Sequence, residues 1–392
     1  MKNWTILIYA NGNNEMEFEM HQSMLLCEKI GSNKDVNVVV QLSKANNKLV
    51  NIMRPKKSLP GKYSSWLGSR RFYVSKSDSI LLENLGEVNM ADPRILYDFI
   101  SWGVENYPAK HYMVILGGHG ISFIGNMTDL AGKTPYMMGT PEMCKVLLNA
   151  SQDLNINIDF LVLDMCYMNS IEVIYELSNV ENNPIKTMLT YIDEGPFEGL
   201  PYDILISTID KCSNLEDINI LTKNIVKNIN LDIVAFTLNS FISENIKSKF
   251  NELAILYSNN KTSYNLQDIT PLRSNQPIYP WYNTLGEVNG LISSIIIDYN
   301  QPSNNGKSLV QVITDNISDF ATQYFKLAFS NNNYWANILC NNSIPENLDE
   351  IKNYELVPVT FSKKGLLYSI LLYNPNISEY EASLILDKLF NT

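Results

Sequence analysis

Two residues of this 392-residue chain stand where a nucleophile and its base would be useful. Cys166 follows the apolar run in LVLDMCYMNS (161–170), and His119 follows the one in VILGGHG (114–120). A cysteine thiol near pKa 8.5 is mostly protonated at neutral pH, so a cysteine nucleophile needs a base or a positive environment to become thiolate. His119 can supply both. The other two histidines are less well placed: His21 falls in mid-helix and His111 at the wet start of a strand. Gly117, Gly118 and Gly120 leave the backbone bare beside the imidazole. A substrate carbonyl could therefore approach the Gly120 N–H, which with the Cys166 N–H makes a candidate oxyanion hole.

The elements that must position this pair read as an α/β sheet. Residues 4–10 and 36–42 are apolar runs of buried-strand length, separated by a helical stretch at 15–30 that places Phe18, Leu25, Leu26 and Ile30 on one face and stops at Gly31. That alternation predicts a parallel sheet. Asp92 followed by Pro93 signals a helix start, with Ile95, Leu96, Phe99, Ile100 and Trp102 as its buried face, and this helix feeds the strand before GGHG. Thr140–Pro141 repeats the signal for a helix to about Ala150. DFLVLDMC, a helix at about 170–177, and the strand KTMLTYI (186–192) ending in DEGPFEG follow. In such sheets reactive groups collect beyond the carboxyl ends of the strands, which is where His119 and Cys166 both fall.

The texture changes near residue 213. The division expected is 1–212 as the catalytic α/β domain, 213–340 as a helical part of the same unit, and 341–392 as an α+β extension. The helical part offers amphipathic stretches at 216–230, 241–256 and 308–329 and a strand candidate at 291–298; the extension offers strand-like runs near 356–361 and 366–373 and a helix from about Ser378. Residues 45–70, with Arg54, Lys56, Lys57, Lys62, Arg70 and Arg71 among prolines and glycine, read as a solvated loop or edge hairpin.

Composition narrows the function classes. A net charge of −11 argues against nucleic acid and anionic membrane surfaces as partners. No apolar run reaches the roughly 18 residues of a spanning helix. MKNWTILIYA runs into Asn11–Gly12–Asn13–Asn14 without a small-residue cleavage site and reads as a first strand, so a cytoplasmic protein is expected, or a secreted one if a leader was removed. Five cysteines without a CxxC pair disfavour a disulfide framework and a zinc site, so no metal ligand is assigned. The GKT in LAGKTP (130–135) is not a phosphate loop, because the glycine required five positions before Gly132 is Met127.

Taken together, ILIYANGNNEME, NLGEVNMADPRILYDFISWGVENYPAKHYMVILGGHG, DFLVLDMCYMNSIEVIYEL, EGPFEGLPY and YFKLAFSNNNYWANIL resemble the clostripain family of cysteine peptidases, the C11 group of the caspase-like clan CD, over about residues 3–340. The 47 residues between His119 and Cys166 match the roughly 50-residue separation of caspases. The resemblance implies a caspase-like αβα sandwich with a mostly parallel central sheet, His119 and Cys166 as a catalytic dyad, and a peptide or protein substrate cut after arginine or lysine. It also brings in calcium, known in the family, although no diagnostic calcium loop is present. Self-cleavage after the histidine occurs in some relatives, which makes Lys133 a candidate. Leu200 in GLPY replaces the family's usual tryptophan and Met165 its usual small residue before the cysteine, so a pocket of different shape from theirs is expected.

The residues themselves favour a basic P1, the residue before the scissile bond. Asp164 lies two positions before Cys166, and a strand's period of two turns both side chains to one face. Asp193 or Glu194, ending the next strand, could add a second carboxylate. The rivals are a catalytically silent caspase-like binding module and a cysteine hydrolase of small amides.

Overall fold

The structure, a computed structural model, describes residues 1–45, 66–269, 279–363, 365–367, 371 and 376–390. A nine-stranded sheet runs through it in the order β12-β11-β10-β9-β5-β1-β2-β3-β4. Its centre is parallel: β2 (Val36–Lys44), β1 (Lys2–Ala10), β5 (Ala109–Gly117), β9 (Ile158–Asp164) and β10 (Ile185–Tyr191). Antiparallel strands close both sides, β3 (Gly68–Ser75) and β4 (Asp78–Gly86) on one, β11 (Ile233–Thr237) and β12 (Ile296–Asn300) on the other.

The parallel strands carry near-continuous apolar runs at their centres because both faces are covered. Along β1, Leu7 and Tyr9 enter one core and Trp4, Ile6 and Ile8 the other; along β9, Leu161 and Leu163 oppose Phe160 and Val162. Helices 17–28, 202–211 and 218–228 cover the second face, while helices 93–106, 140–153, 171–178, 240–260 and 282–295 cover the first. This is the αβα sandwich expected, with further helices following in the C-terminal part. A small antiparallel sheet, in the order β13-β8-β7-β6, stands apart from the large one: β6 (Gly120–Ile121), β7 (Gly125–Asp129), β8 (Tyr136–Met138) and β13 (Val359–Thr360). No described helix is long and apolar enough to cross a membrane.

Local signals set several of these elements. Asp92 accepts a hydrogen bond from the Arg94 N–H at 2.9 Å and Pro93 opens the helix Pro93–Asn106, whose Leu96, Phe99 and Ile100 are fully buried. Truncating a buried phenylalanine such as Phe99 typically costs about 3–5 kcal/mol. Ser170 caps the helix Ile171–Ser178.

Other expectations are corrected. The first helix buries Met20, Met24 and Cys27, with Phe18, Leu25 and Leu26 only partly covered, because its position against β2 and the helix Tyr202–Lys211 chooses the face. Arg71 lies on β3 and is buried, donating to Gln41 at 2.9 Å and to Glu83 at 3.0 Å, and pairing with Asp98. It sits in the edge hairpin that is one of the two readings of this stretch, buried where a solvated residue is expected. Residues 46–65 of that basic stretch lie outside the described residues. The strand candidate at 291–298 is helical to Ile295 and a strand from Ile296. The stretch 308–329 carries only short helical pieces, Ser318–Phe320, Ala321–Lys326 and Ala328–Ser330. The described residues of the 366–373 run are helical.

Three buried carboxylates fasten that C-terminal segment to the sandwich. Glu142 accepts from Gln323 at 3.1 Å and pairs with Lys326 at 2.5 Å; Glu172 accepts from the Tyr324 hydroxyl at 2.9 Å, and Glu176 from the Phe329 N–H at 2.9 Å. Burial, the largest influence, pushes Glu172 and Glu176 up to about 7. Their folded-state pKa values lie above the unfolded carboxylate value of about 4.3. Their contribution to stability is therefore complete below that value and is lost as pH rises through about 7. Thermal melts between about pH 5 and 8 should show a decline in wild type that is flatter in Glu172→Gln and Glu176→Gln, by on the order of 1–3 kcal/mol for each carboxyl. Parallel curves would contradict the assignment.

Candidate active site

The parallel register of β5 and β9 pairs Gly117 with Asp164, the last residue of each strand. His119 and Cys166 each follow by two residues, so the two chain segments leave the sheet side by side. The Gly118 N–H donates to the Asp164 carbonyl at 3.3 Å. At Gly120 a Cβ would sit 2.4 Å from the Cys166 carbonyl oxygen and 2.9 Å from the Met165 Cβ. Only glycine lets these backbones meet. His119, Gly120, Cys166, Asp164 and Glu194 all line one pocket of 330 Å³.

His119 is positioned by a residue that sequence reasoning missed. Its Nε2 lies 2.7 Å from Oε1 of Glu15, whose side chain is 1% exposed. A carboxylate only accepts, so Nε2 carries the proton and the other nitrogen, Nδ1, has the lone pair in the neutral ring. Glu15 belongs to the loop after β1, next to β5 in the sheet, and that loop is pinned by Asn11 and Asn14 donating to the Thr128 carbonyl, each at 2.9 Å. Its available signal was an acidic residue just past a strand end. The other histidines lie elsewhere: His21 is buried in its helix, where burial and Lys44 hold it down to about 4, and His111 stacks on Trp4.

Cys166 accepts a hydrogen bond at Sγ from the Gly195 N–H at 3.4 Å. The turn after it is tight, with Tyr167 at φ 61° and its N–H donating to the Asp193 carbonyl at 2.7 Å. Burial pushes the thiol above the ordinary cysteine range, the Gly195 N–H opposes this, and the carboxylates of Asp164, Glu194 and Asp193 push the same way as burial.

The three acidic candidates are treated differently. Asp164 is almost wholly buried at the pocket, accepting from the Tyr191 hydroxyl at 2.5 Å and the Leu200 N–H at 3.1 Å. Burial raises its pKa, against the lowering effect of Tyr191, Tyr202 and the Leu200 N–H. Gly199, at φ +75°, lets the chain turn onto it; a Cβ there would come within 2.8 Å of its Oδ2. Glu194 faces the pocket and takes the Tyr167 hydroxyl. Asp193 does not line the pocket: it pairs with Lys307 and accepts from Gln311 at 2.7 Å. As a pocket residue it is corrected, because its positive φ of 83° turns it toward the segment before residue 311. Lys133 is exposed on the loop before β8 and lines a separate cavity with Asp129 and Lys44, so it is not brought to Cys166. Phe361, from the C-terminal extension, also lines the Cys166 pocket, which nothing in the sequence indicated. Among the described residues no group of three or more His, Cys, Asp or Glu comes together as a candidate metal site.

A mostly parallel sheet with helices on both faces, and a cysteine and a histidine following neighbouring strands into one pocket, is the arrangement expected of a caspase-like cysteine peptidase. The chain belongs to the clostripain family, whose sequence model matches residues 8–233, more than half its length, and it is accordingly a cysteine protease. Among solved structures it is similar to a secreted C11 cysteine protease from Bacteroides thetaiotaomicron in complex with an irreversible peptide inhibitor, at 15% identity and TM-score 0.58, covering 87% of this chain and 99% of that one. An inactive zymogen C11 protease from Parabacteroides distasonis is similar at 15% identity and TM-score 0.58, covering 85% and 98%. No curated protein sequence matches the chain.

The electrostatics give a direct expectation. Alkylation of Cys166 by iodoacetamide, followed by peptide mass spectrometry, should still be accelerating above about pH 8.5, the ordinary thiol value. A rate already level at neutral pH would mean a preformed thiolate and would contradict the surroundings described.

Proposed function

We propose that the protein is an endopeptidase that cuts after arginine or lysine through a His119–Cys166 dyad. The observation that carries this reading is the single pocket in which Cys166, His119 and the carboxylates Asp164 and Glu194 meet. His119 takes the Cys166 proton as Sγ bonds to the scissile carbonyl carbon and the carbonyl electrons move to oxygen, held by the Gly120 and Cys166 N–H groups. The intermediate collapses, the C–N bond breaks, and His119 gives the proton to the leaving amine. Water, deprotonated by His119, then attacks the thioester and the thiol leaves with the proton. Glu15 holds the proton on Nε2, so His119 takes up and gives back the travelling proton at Nδ1. No step is routed through calcium.

Asp164 and Glu194 make the pocket acidic, which suits a cationic side chain. Fluorogenic peptides bearing Arg, Lys, Asp or Ala before the cut, with and without calcium, test the reading. Cleavage should favour Arg and Lys, vanish in Cys166→Ala, and fall roughly ten- to a hundredfold for basic substrates in Glu194→Gln, the worth of a charged hydrogen bond. Activity indifferent to charge would favour the small-amide hydrolase. No activity under reducing conditions would favour the silent binding module.

Activation by self-cleavage after Lys133 is part of the proposal, supported by the exposure of its loop and by the existence of a zymogen structure in the family. Intact-mass analysis of the active enzyme should find two chains joined at Lys133–Thr134, absent from Cys166→Ala; an active protein of undivided mass removes the idea.

A further inference from the structure

The C-terminal extension reaches the active-site pocket. Its strand β13 pairs with β8 through Val359–Met137 and Thr360–Tyr136, and the Phe361 N–H donates to the Pro135 carbonyl at 2.9 Å. Phe361 is 6% exposed and packs in one apolar cluster with Leu130 and Ile121, and all three line the pocket that holds Cys166. The cluster is built on β6–β8, the small sheet that begins at Gly120, directly after His119. Asp164 and Glu194 lie with the Cys166 turn and the 194–199 loop, while Glu15 is turned onto His119.

We infer that Ile121, Leu130 and Phe361 form a subsite for a large apolar side chain on the leaving-group side of the scissile bond. The inference rests on the endopeptidase reading above. His119 must reach the amine it protonates, so the substrate residue carrying that amine emerges on the His119 side, against the sheet that follows it. The surface made by Ile121, Leu130 and Phe361 is apolar, so an acidic or basic residue entering it would be desolvated with no partner among these three side chains. The extension thus completes the substrate cleft, and the preferred sequence is a basic residue followed by a bulky apolar one.

Internally quenched peptides with a fixed basic residue and Leu, Phe, Ala or Asp after it test this. In wild type kcat/KM should favour Leu or Phe over Ala by about tenfold, the usual worth of a few methylenes in an apolar pocket. The ratio should fall to near one in Phe361→Ala and persist in Phe361→Leu, which keeps the bulk. Ile121→Ala, on a different strand, should also lower it, and decides the matter if Phe361→Ala does not fold. A wild-type ratio near one, or an undiminished ratio in both alanine variants, overturns the inference. Product masses show separately which residue precedes the cut. If it is not basic, the P1 reading fails, and the panel is repeated around the residue accepted.

Discussion

The contact on which the rest of the site depends is between two stretches of backbone. Where β5 and β9 end, the chain at Gly120 lies against the carbonyl of Cys166, so closely that one methyl group would separate them. Every catalytic relation follows from that approach: the histidine loop cannot move away from the cysteine turn without opening a gap. The parallel pairing below it supplies the rigidity, because the sheet is buried on both faces and its register cannot slip by one residue without exchanging the two cores.

Around this contact the electrostatics pull in two directions. Burial pushes the Cys166 thiol toward its protonated form, and the carboxylates of Asp164, Glu194 and Asp193 act in the same direction. The Gly195 N–H works against them. The surroundings of the thiol thus favour its protonated form over a standing thiolate. Glu15 matters for the same reason. A buried carboxylate on one ring nitrogen leaves the other as the only acceptor.

The extension and the helices after residue 213 complete the sandwich and are no appendage to it. β11 and β12 extend the central sheet beyond β10, and residues 321–329 are fixed through Glu142, Glu172 and Glu176. β13 joins the small sheet that follows His119, bringing Phe361 into the pocket from more than two hundred residues away in sequence.

Composition and local pattern determined a good deal by themselves. The apolar runs at 4–10 and 36–42, those within VILGGHG and DFLVLDMC, the cap at Asp92–Pro93 and the glycines around His119 were enough to place His119 and Cys166 at neighbouring strand ends, because strand length, period and capping are set by near neighbours in the chain. The face buried by the first helix was not legible, since neighbouring elements select it and it lacks a clear apolar stripe. Between Asp193 and Glu194 the sequence could not choose: adjacent residues on a turn diverge according to a backbone angle, here a positive φ at Asp193. Glu15 and Phe361 were beyond its reach as partners of the site. Their roles come from strand order, which puts β1 beside β5 and β13 beside β8, and such long-range pairings leave no mark on the local sequence that takes part in them.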